Sequence, residues 1–290
     1  MDNVHLVSGQ AHERSHSDRA AVADSLVVPP LRRRRRAHPW HVLLAPAFGL
    51  VLLAIWTLVA RSGLYASFIV PSPASVAERW WGLASSGALA RHTAVTLREV
   101  LTGLLVGVWT AFWLGYLIAR SRPVAYMLTP YLVALQAVPI VAIAPLLIIW
   151  FGADVTSKVI ICALIVFFPM LVNTVIGMRS IPPELRDLMR ALEATPLQTF
   201  WHLELPAALP IVIGGLKVSA TLSVIGAVVG EFVSASAGLG YLINFGRGTY
   251  DTPLVIAAVF TLTALALILY GLAAWLERIL LGWQRVNEHP

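Results

Sequence analysis

Charge is scarce in this 290-residue chain: Asp, Glu, Lys and Arg together make up 12% of it, whereas hydrophobic residues make up 58%. A soluble domain carries about 25% charged residues to cover its surface, so the soluble globular class is excluded. Lysine is rarer still, present only as Lys158 and Lys217, which follow Ser157 and Leu216. A nucleotide-cradling phosphate loop places its lysine directly after glycine, so ATP is not bound through such a loop in this chain. If ATP drives this protein, another subunit binds it. The single cysteine, Cys162, excludes an internal disulfide and reads as a small buried apolar residue. No repeat of about 20 to 50 residues recurs, which argues against two fused transporter halves.

Hydrophobic length is what the chain does have. About 20 apolar residues cross the roughly 30 Å hydrocarbon core of a bilayer, and six such windows recur, at 42–60, 96–119, 127–151, 157–178, 210–232 and 253–276. Lipid offers backbone N–H and C=O groups no partner, so these windows are expected to be helices. The expected fold class is all-α, a polytopic membrane protein with six transmembrane helices over 38–290. Residues 1–37 are polar without apolar periodicity and read as a disordered basic cytoplasmic tail. The apolar run after the arginines exceeds a signal-peptide core and no small-x-small site follows it, so a cleaved leader is not expected.

Lysine and arginine distribution sets membrane orientation. With the amino terminus inside, the inner segments hold fourteen arginines, among them Arg32 to Arg36, Arg120, Arg122, Arg179, Arg186 and Arg190, against six basic residues outside, namely Arg61, Arg79, Arg91, Arg98, Lys158 and Arg247. Both termini are therefore expected in the cytoplasm. No aromatic-interleaved basic face accompanies the arginine run, so nucleic acid is not an expected partner.

The polar interruption at 179–206 lies between two membrane-length segments. Pro182 and Pro183 suit a helix start, where the first N–H groups lack intrahelical acceptors, and that helix should run to about Leu192. Thr195, Pro196 and Gln198 form a capping box, so a second short helix is expected to begin at Pro196 and stop before Pro206. Two capped helices around a bend make a rigid knob suited to being held by another protein. Elsewhere, Gly103, Gly107, Ala111 and Gly115 recur every four residues, as do Gly226 and Gly230. Such stripes permit close helix packing, within the chain or between two copies.

His12, Glu13 and His16 match HExxH, in which two histidines one turn apart hold zinc. The motif sits in a polar tail with no helix signal, so no metal site is expected; an intramembrane metalloprotease stays as a remote alternative. Ionisable residues within spans are costly and default to functional candidates. Lys217 lies about eight residues, or roughly 12 Å, into the fifth span, where it either snorkels or pairs, or lines a pathway. Gln136 and Pro139 in the proline-rich third span, with Asn173, Thr221 and Ser223, read either as a polar path or as helix-packing groups. Glu231 ends the fifth span, where it closes a gate or faces water.

The chain resembles the permease subunits of bacterial ATP-binding-cassette importers, in the branch associated with nitrate, sulfonate, taurine and thiamine- or riboflavin-type substrates. Residues 64–282 carry the resemblance. It runs from Ile-Val-Pro-Ser-Pro at 69–73 through Leu-Gln-Ala-Val-Pro at 135–139 and Trp-Phe-Gly at 150–152 to Gly-Glu-Phe at 230–232 and Ser-Ala-Gly-Leu-Gly-Tyr at 236–241. In that family the cytoplasmic loop, here 179–208, carries the EAA motif, whose coupling helices dock on the ATPase. Leu203, Leu205 and Pro206 fit its end; Asp187, Leu188 and Met189 stand at E-A-A, and Glu193 replaces the motif glycine. A glycine there would enter a left-handed conformation that costs glutamate about 1–2 kcal/mol. Either the bend is made differently, or Glu193 offers a charge to the ATPase.

The resemblance implies a type I ABC importer permease fold in the bacterial inner membrane, embedded in lipid and paired as a homodimer. It implies two ABC ATPase subunits, which carry ATP and magnesium, and a periplasmic or lipid-anchored substrate-binding protein. It implies ATPase coupling through Glu184, Asp187, Arg190, Glu193, Ala194, Thr195, Gln198, Phe200, Leu203, Leu205 and Pro206, with no catalytic residue and no cofactor in this chain. The expected function is ATP-driven import of a small solute by alternating access. The cargo is a nitrate- or sulfonate-type anion or, alternatively, a neutral heteroaromatic vitamin precursor. A lone ion channel is a further reading, and an ATPase subunit co-purifying with the chain would dispose of it.

Overall fold

The computed structural model describes residues 41–282, so the tail, and with it His12, Glu13 and His16, lies outside the described residues. No strand occurs among the described residues. Helix α1 spans His41–Arg61, α2 Pro73–Ser85, α3 Ala88–Arg120, α4 Arg122–Gln136, α5 Ile140–Phe151, α6 Val155–Arg179, α7 Pro183–Ala191 and α8 Pro196–Thr199. A π-helical turn over Phe200–Glu204 leads into α9 at Leu205–Ser234, followed by α10 at Leu239–Gly248 and α11 at Thr252–Leu280. The chain divides into two compact units between Leu52 and Leu53. The described part of the first is the opening of α1; the remainder belongs to the second.

Among the described residues four helices are long and apolar enough to cross a membrane: α3, α6, the run Pro196–Ser234, and α11. The expected third span is instead two helices, α4 and α5, meeting at 97° and counting together as a fifth. Proline explains the break. Pro139 has no N–H to donate and biases Val138 away from helix, so α4 ends in turn-like bonds, Val138 N to Leu135 O at 3.1 Å, and α5 restarts with Ala142 N to Pro139 O at 2.8 Å. The first expected span falls on α1, whose described apolar part, Pro46–Arg61, is shorter than the four membrane-length helices. The second span also starts earlier than expected, since α3 continues eight residues towards its amino end, to Ala88.

Helix α6 is the spine of the bundle, packed chiefly against α3 and α9. The two small-residue stripes make this possible. A Cβ on Gly103 would lie 2.5 Å from the Cys162 Cβ, and one on Gly226 would lie 2.6 Å from the Cys162 Cα. Gly107 faces Ala163, Gly115 faces Thr174 and Gly230 faces Lys158 in the same way. Both stripes are therefore contacts within the chain, where close backbone approach replaces the hydrophobic drive that lipid does not supply. Cys162, at their junction, is fully buried. Around this spine, α2 is tied to α11 by the Arg79–Asp251 ion pair at 2.7 Å and by Trp80 Nε1 donating to Thr261 at 3.2 Å. Trp56 of α1 donates to the Pro71 carbonyl at 3.0 Å.

Candidate functional site

The elbow at 183–204 sits at the end of the bundle where α3 and α6 finish and α9 begins. Helix α7 opens at Pro183, as the prolines predict, and closes with Glu193 N donating to Arg190 O at 2.9 Å and Ala194 N to Met189 O at 3.0 Å. This pair of bonds is a Schellman closure, which places its next residue in the left-handed region. Glu193 is that residue, at φ 51°. The bend is thus made in the way a glycine would make it, so of the two alternatives the different geometry does not hold. The Glu193 carboxylate faces solvent.

The capping box forms as read, with Gln198 N donating to Thr195 Oγ1 at 3.3 Å and Thr195 N to Gln198 Oε1 at 2.8 Å. The second helix does not stop before Pro206. Leu205 N donates to Phe200 O, five residues back, so the chain widens into a π-helical turn and enters α9 without a break. A wider turn accommodates Pro206, which has no N–H to return to the preceding turn. The elbow is consequently rigidly continuous with a membrane helix.

Phe200 faces inward rather than outward. It is 8% exposed and packs edge-on against Tyr116 at 5.2 Å and stacked on Trp113 at 6.0 Å, both on the last turns of α3. Beside it Glu204 is buried, accepting from the Tyr116 hydroxyl at 2.8 Å and pairing with Arg120 at 3.3 Å. These contacts weld the elbow to α3. The outward surface is a different set: Leu188, Leu192, Leu197 and Trp201 are all more than half exposed. Glu184, Asp187, Arg190, Thr195 and Gln198 are exposed as well, while Ala194, Leu203, Leu205 and Pro206 are half-buried. Asp187 and Arg190 pair with each other at 2.8 Å.

At the opposite end of α9 lies a sealed polar cluster. Glu231 is 1% exposed, so the water-facing reading does not hold. Its carboxylate accepts from Thr96 Oγ1 at 2.6 Å and from the Gly240 backbone N–H. Thr96 in turn accepts from Leu239 N at 2.8 Å, and His92 Nδ1 from Gly238 N at 3.0 Å. The loop at 235–240 is therefore laced by its own amides to α3 and α9. Gly238 has φ 120°, and a Cβ there would lie 2.2 Å from Glu231 Oε1, so only glycine fits. Next to this network the Lys158–Glu99 ion pair, at 3.3 Å, is buried as well. Among the described residues neither Glu99 oxygen accepts a hydrogen bond. Lys158, expected in an outer loop, is an interior charge, which leaves fewer basic residues in the outer segments than the count above assumed.

The residues read as a polar path do not converge. Lys217 pairs with Glu277 of α11 at 2.8 Å, the pairing alternative of its sequence reading. Asn173 donates to the Pro169 carbonyl at 2.8 Å and faces Gly215. Thr221 and Ser223 donate back to Val218 and Ala220 within their own helix, and Ser223 is fully buried. Gln136 lines a cleft between α4 and α6, and Pro139 marks the bend. Glu99, Glu204, Glu277 and His92 were missed in the sequence because their partners lie on distant segments. Among the described residues no group of three metal-ligating side chains occurs.

Comparison with known proteins agrees with this geometry. The chain is 45% identical over 257 residues to the riboflavin transport system permease protein RibX of Chloroflexus aurantiacus, covering 89% of this chain and 96% of that protein. It is 34% identical over 238 residues to the formylaminopyrimidine transport permease protein ThiX of Halalkalibacterium halodurans, covering 82% and 94%. Inward-facing structures of the MetNI methionine ABC transporter share the fold, with a TM-score of 0.57 at 18% identity over 68% of this chain and 98% of that one. Residues 103–281 match a family described as binding-protein-dependent transport system inner membrane component. The chain belongs to that family, and is a multi-pass permease subunit of the inner membrane rather than an enzyme.

Proposed function

We propose that the elbow at 183–204 is where a separate ATPase grips this permease, and that its movement drives import of a small solute. The carrying observation is the division of labour in the elbow. Leu188, Leu192, Leu197 and Trp201 present apolar surface outward, while Phe200 and Glu204 lock the same segment to α3 and the π-helical turn continues into α9. An exposed apolar patch on an otherwise charged segment marks a protein contact. A rigid connection turns a displacement at that contact into tilting of α3 and α9, which is the differential bias that alternating access requires.

In this reading both termini and the elbow are cytoplasmic, ATP and magnesium reside on the ATPase, and a soluble binding protein delivers solute to the other face. Two copies of this chain pair across α5 and the end of α4, whose Leu135, Val141 and Ile149 are exposed. The bend at Pro139 is then placed to gate the pathway between them. Reconstitution of the permease with its ATPase and binding protein tests the reading: Leu192→Gln/Leu197→Gln should insert normally yet lose ATP-dependent uptake. Uptake at the native rate in that variant would overturn it.

A further inference from the structure

We propose that the groove between α4 and α6 holds an anionic phospholipid, with its phosphate on Arg122, Arg179 and Arg186 and an acyl chain along Leu132, Val172 and Val175. Two adjoining clefts carry this. One, of about 720 Å³, opens at the elbow end of the bundle and is lined by the three arginines together with Tyr126 and Thr129. The other, of about 240 Å³, shares Ile118, Thr129 and Arg179 with the first and continues between the helices over Leu132, Val172 and Val175. A cationic mouth thus leads into an apolar slot at the end of two membrane-crossing segments.

The arginines lack what they are shaped to bind. Among the described residues no carboxylate lines either cleft and none of the three arginines is in an ion pair. Arg186 donates through Nη2 to the Met178 carbonyl at 2.6 Å, but its Nε is buried with no acceptor among the described residues. Arg179 reaches the Ile118 carbonyl only at 3.5 Å, and Arg122 is exposed. A buried donor without an acceptor is costly, and guanidinium groups meet phosphate oxygens in a bidentate fork. The apolar slot selects a lipid over a free anion, because only a lipid brings an acyl chain joined to its phosphate. Basic pockets between membrane helices bind anionic headgroups on this physical basis, at about fivefold in affinity for each basic residue.

Titration of the purified full-length chain with phosphatidylglycerol, phosphatidylcholine or inorganic phosphate, read by thermal unfolding and by lipid retention in native mass spectrometry, tests the proposal. Phosphatidylglycerol should bind and stabilise, with phosphatidylcholine and phosphate without effect at the same concentrations. Arg122→Gln should weaken the phosphatidylglycerol response about fivefold; this exposed side chain sits at the groove mouth, so folding should be kept. Val175→Trp, which fills the slot, should lose the retained lipid with the helices intact. Equal stabilisation by phosphate would show an open anion site, equal stabilisation by phosphatidylcholine a nonspecific annulus, and an unchanged titration in Arg122→Gln a headgroup elsewhere. Any of the three overturns the proposal.

Discussion

The Tyr116 hydroxyl donates to the buried Glu204 carboxylate across 2.8 Å, joining the last turn of α3 to the π-helical turn of the elbow. Arg120 closes a triangle, reaching the Tyr116 oxygen at 2.6 Å and Glu204 at 3.3 Å. Tyr116→Phe keeps the ring against Phe200 and removes only the hydroxyl. A hydrogen bond to a charged group contributes about 1.5–3 kcal/mol. Amide exchange across residues 200–205 should therefore accelerate by at least tenfold in this variant, with the transmembrane amides unaffected. Unchanged exchange would mean that Phe200 packing alone holds the elbow.

Glu193 at φ 51° stores strain that glycine would not. Glu193→Gly should stabilise α7 by about 1 kcal/mol, seen as slower exchange of its last amides, and should retain assembly with the ATPase. Glu193→Val, β-branched in a left-handed position, should move exchange the other way. Loss of ATPase co-purification on Glu193→Gly would instead assign the carboxylate to the interface.

How far the elbow was legible in the sequence follows from which signals are local. Proline at 183 and the Thr195–Gln198 capping box are short-range rules, and both held at the residue. The same rules misplaced the end of the second helix, because Pro206 was read as a stop. The structure absorbs it with one wide turn beginning at Phe200. Lys217 showed its burial in the sequence but not its partner, since Glu277 lies 60 residues away. The Glu99–Lys158 pair was invisible for the same reason, compounded by counting Lys158 among the basic residues of the outer segments. The glycine stripes were legible as packing, yet only the structure shows that both fall on α6.

The interior ion pair makes a separate prediction. Breaking a buried pair from one side leaves an uncompensated charge and costs about 3–5 kcal/mol, whereas replacing both partners with apolar groups is close to neutral. Lys158→Met should therefore strongly destabilise the purified chain in thermal unfolding, and Lys158→Met/Glu99→Leu should recover most of the loss. Additive losses in the double variant would show that Lys158 is held chiefly by the neighbouring Glu231 network.

Two glycines of α9 should respond oppositely to the same substitution. A Cβ at Gly226 would lie 2.6 Å from backbone of α6, whereas nothing stands within 4 Å of one at Gly214. Gly226→Ala should cost about 1–3 kcal/mol through overpacking. Gly214→Ala should be neutral or stabilising by up to about 1 kcal/mol from helix propensity. Equal unfolding temperatures for the two variants would contradict the placement of the stripe on Cys162.

The docking role of the elbow is tested most directly by crosslinking through single cysteines, because the one native thiol, Cys162, is buried. Cysteine would be placed at Leu188, Leu192 or Leu197 on the elbow, and at Tyr250, 76% exposed at the opposite end of the bundle. A thiol-reactive crosslinker applied to membranes should then trap an ATP-hydrolysing subunit on the three elbow positions and none on Tyr250. Equal capture from Tyr250, or none from the elbow while ATP-driven uptake persists, would contradict the account.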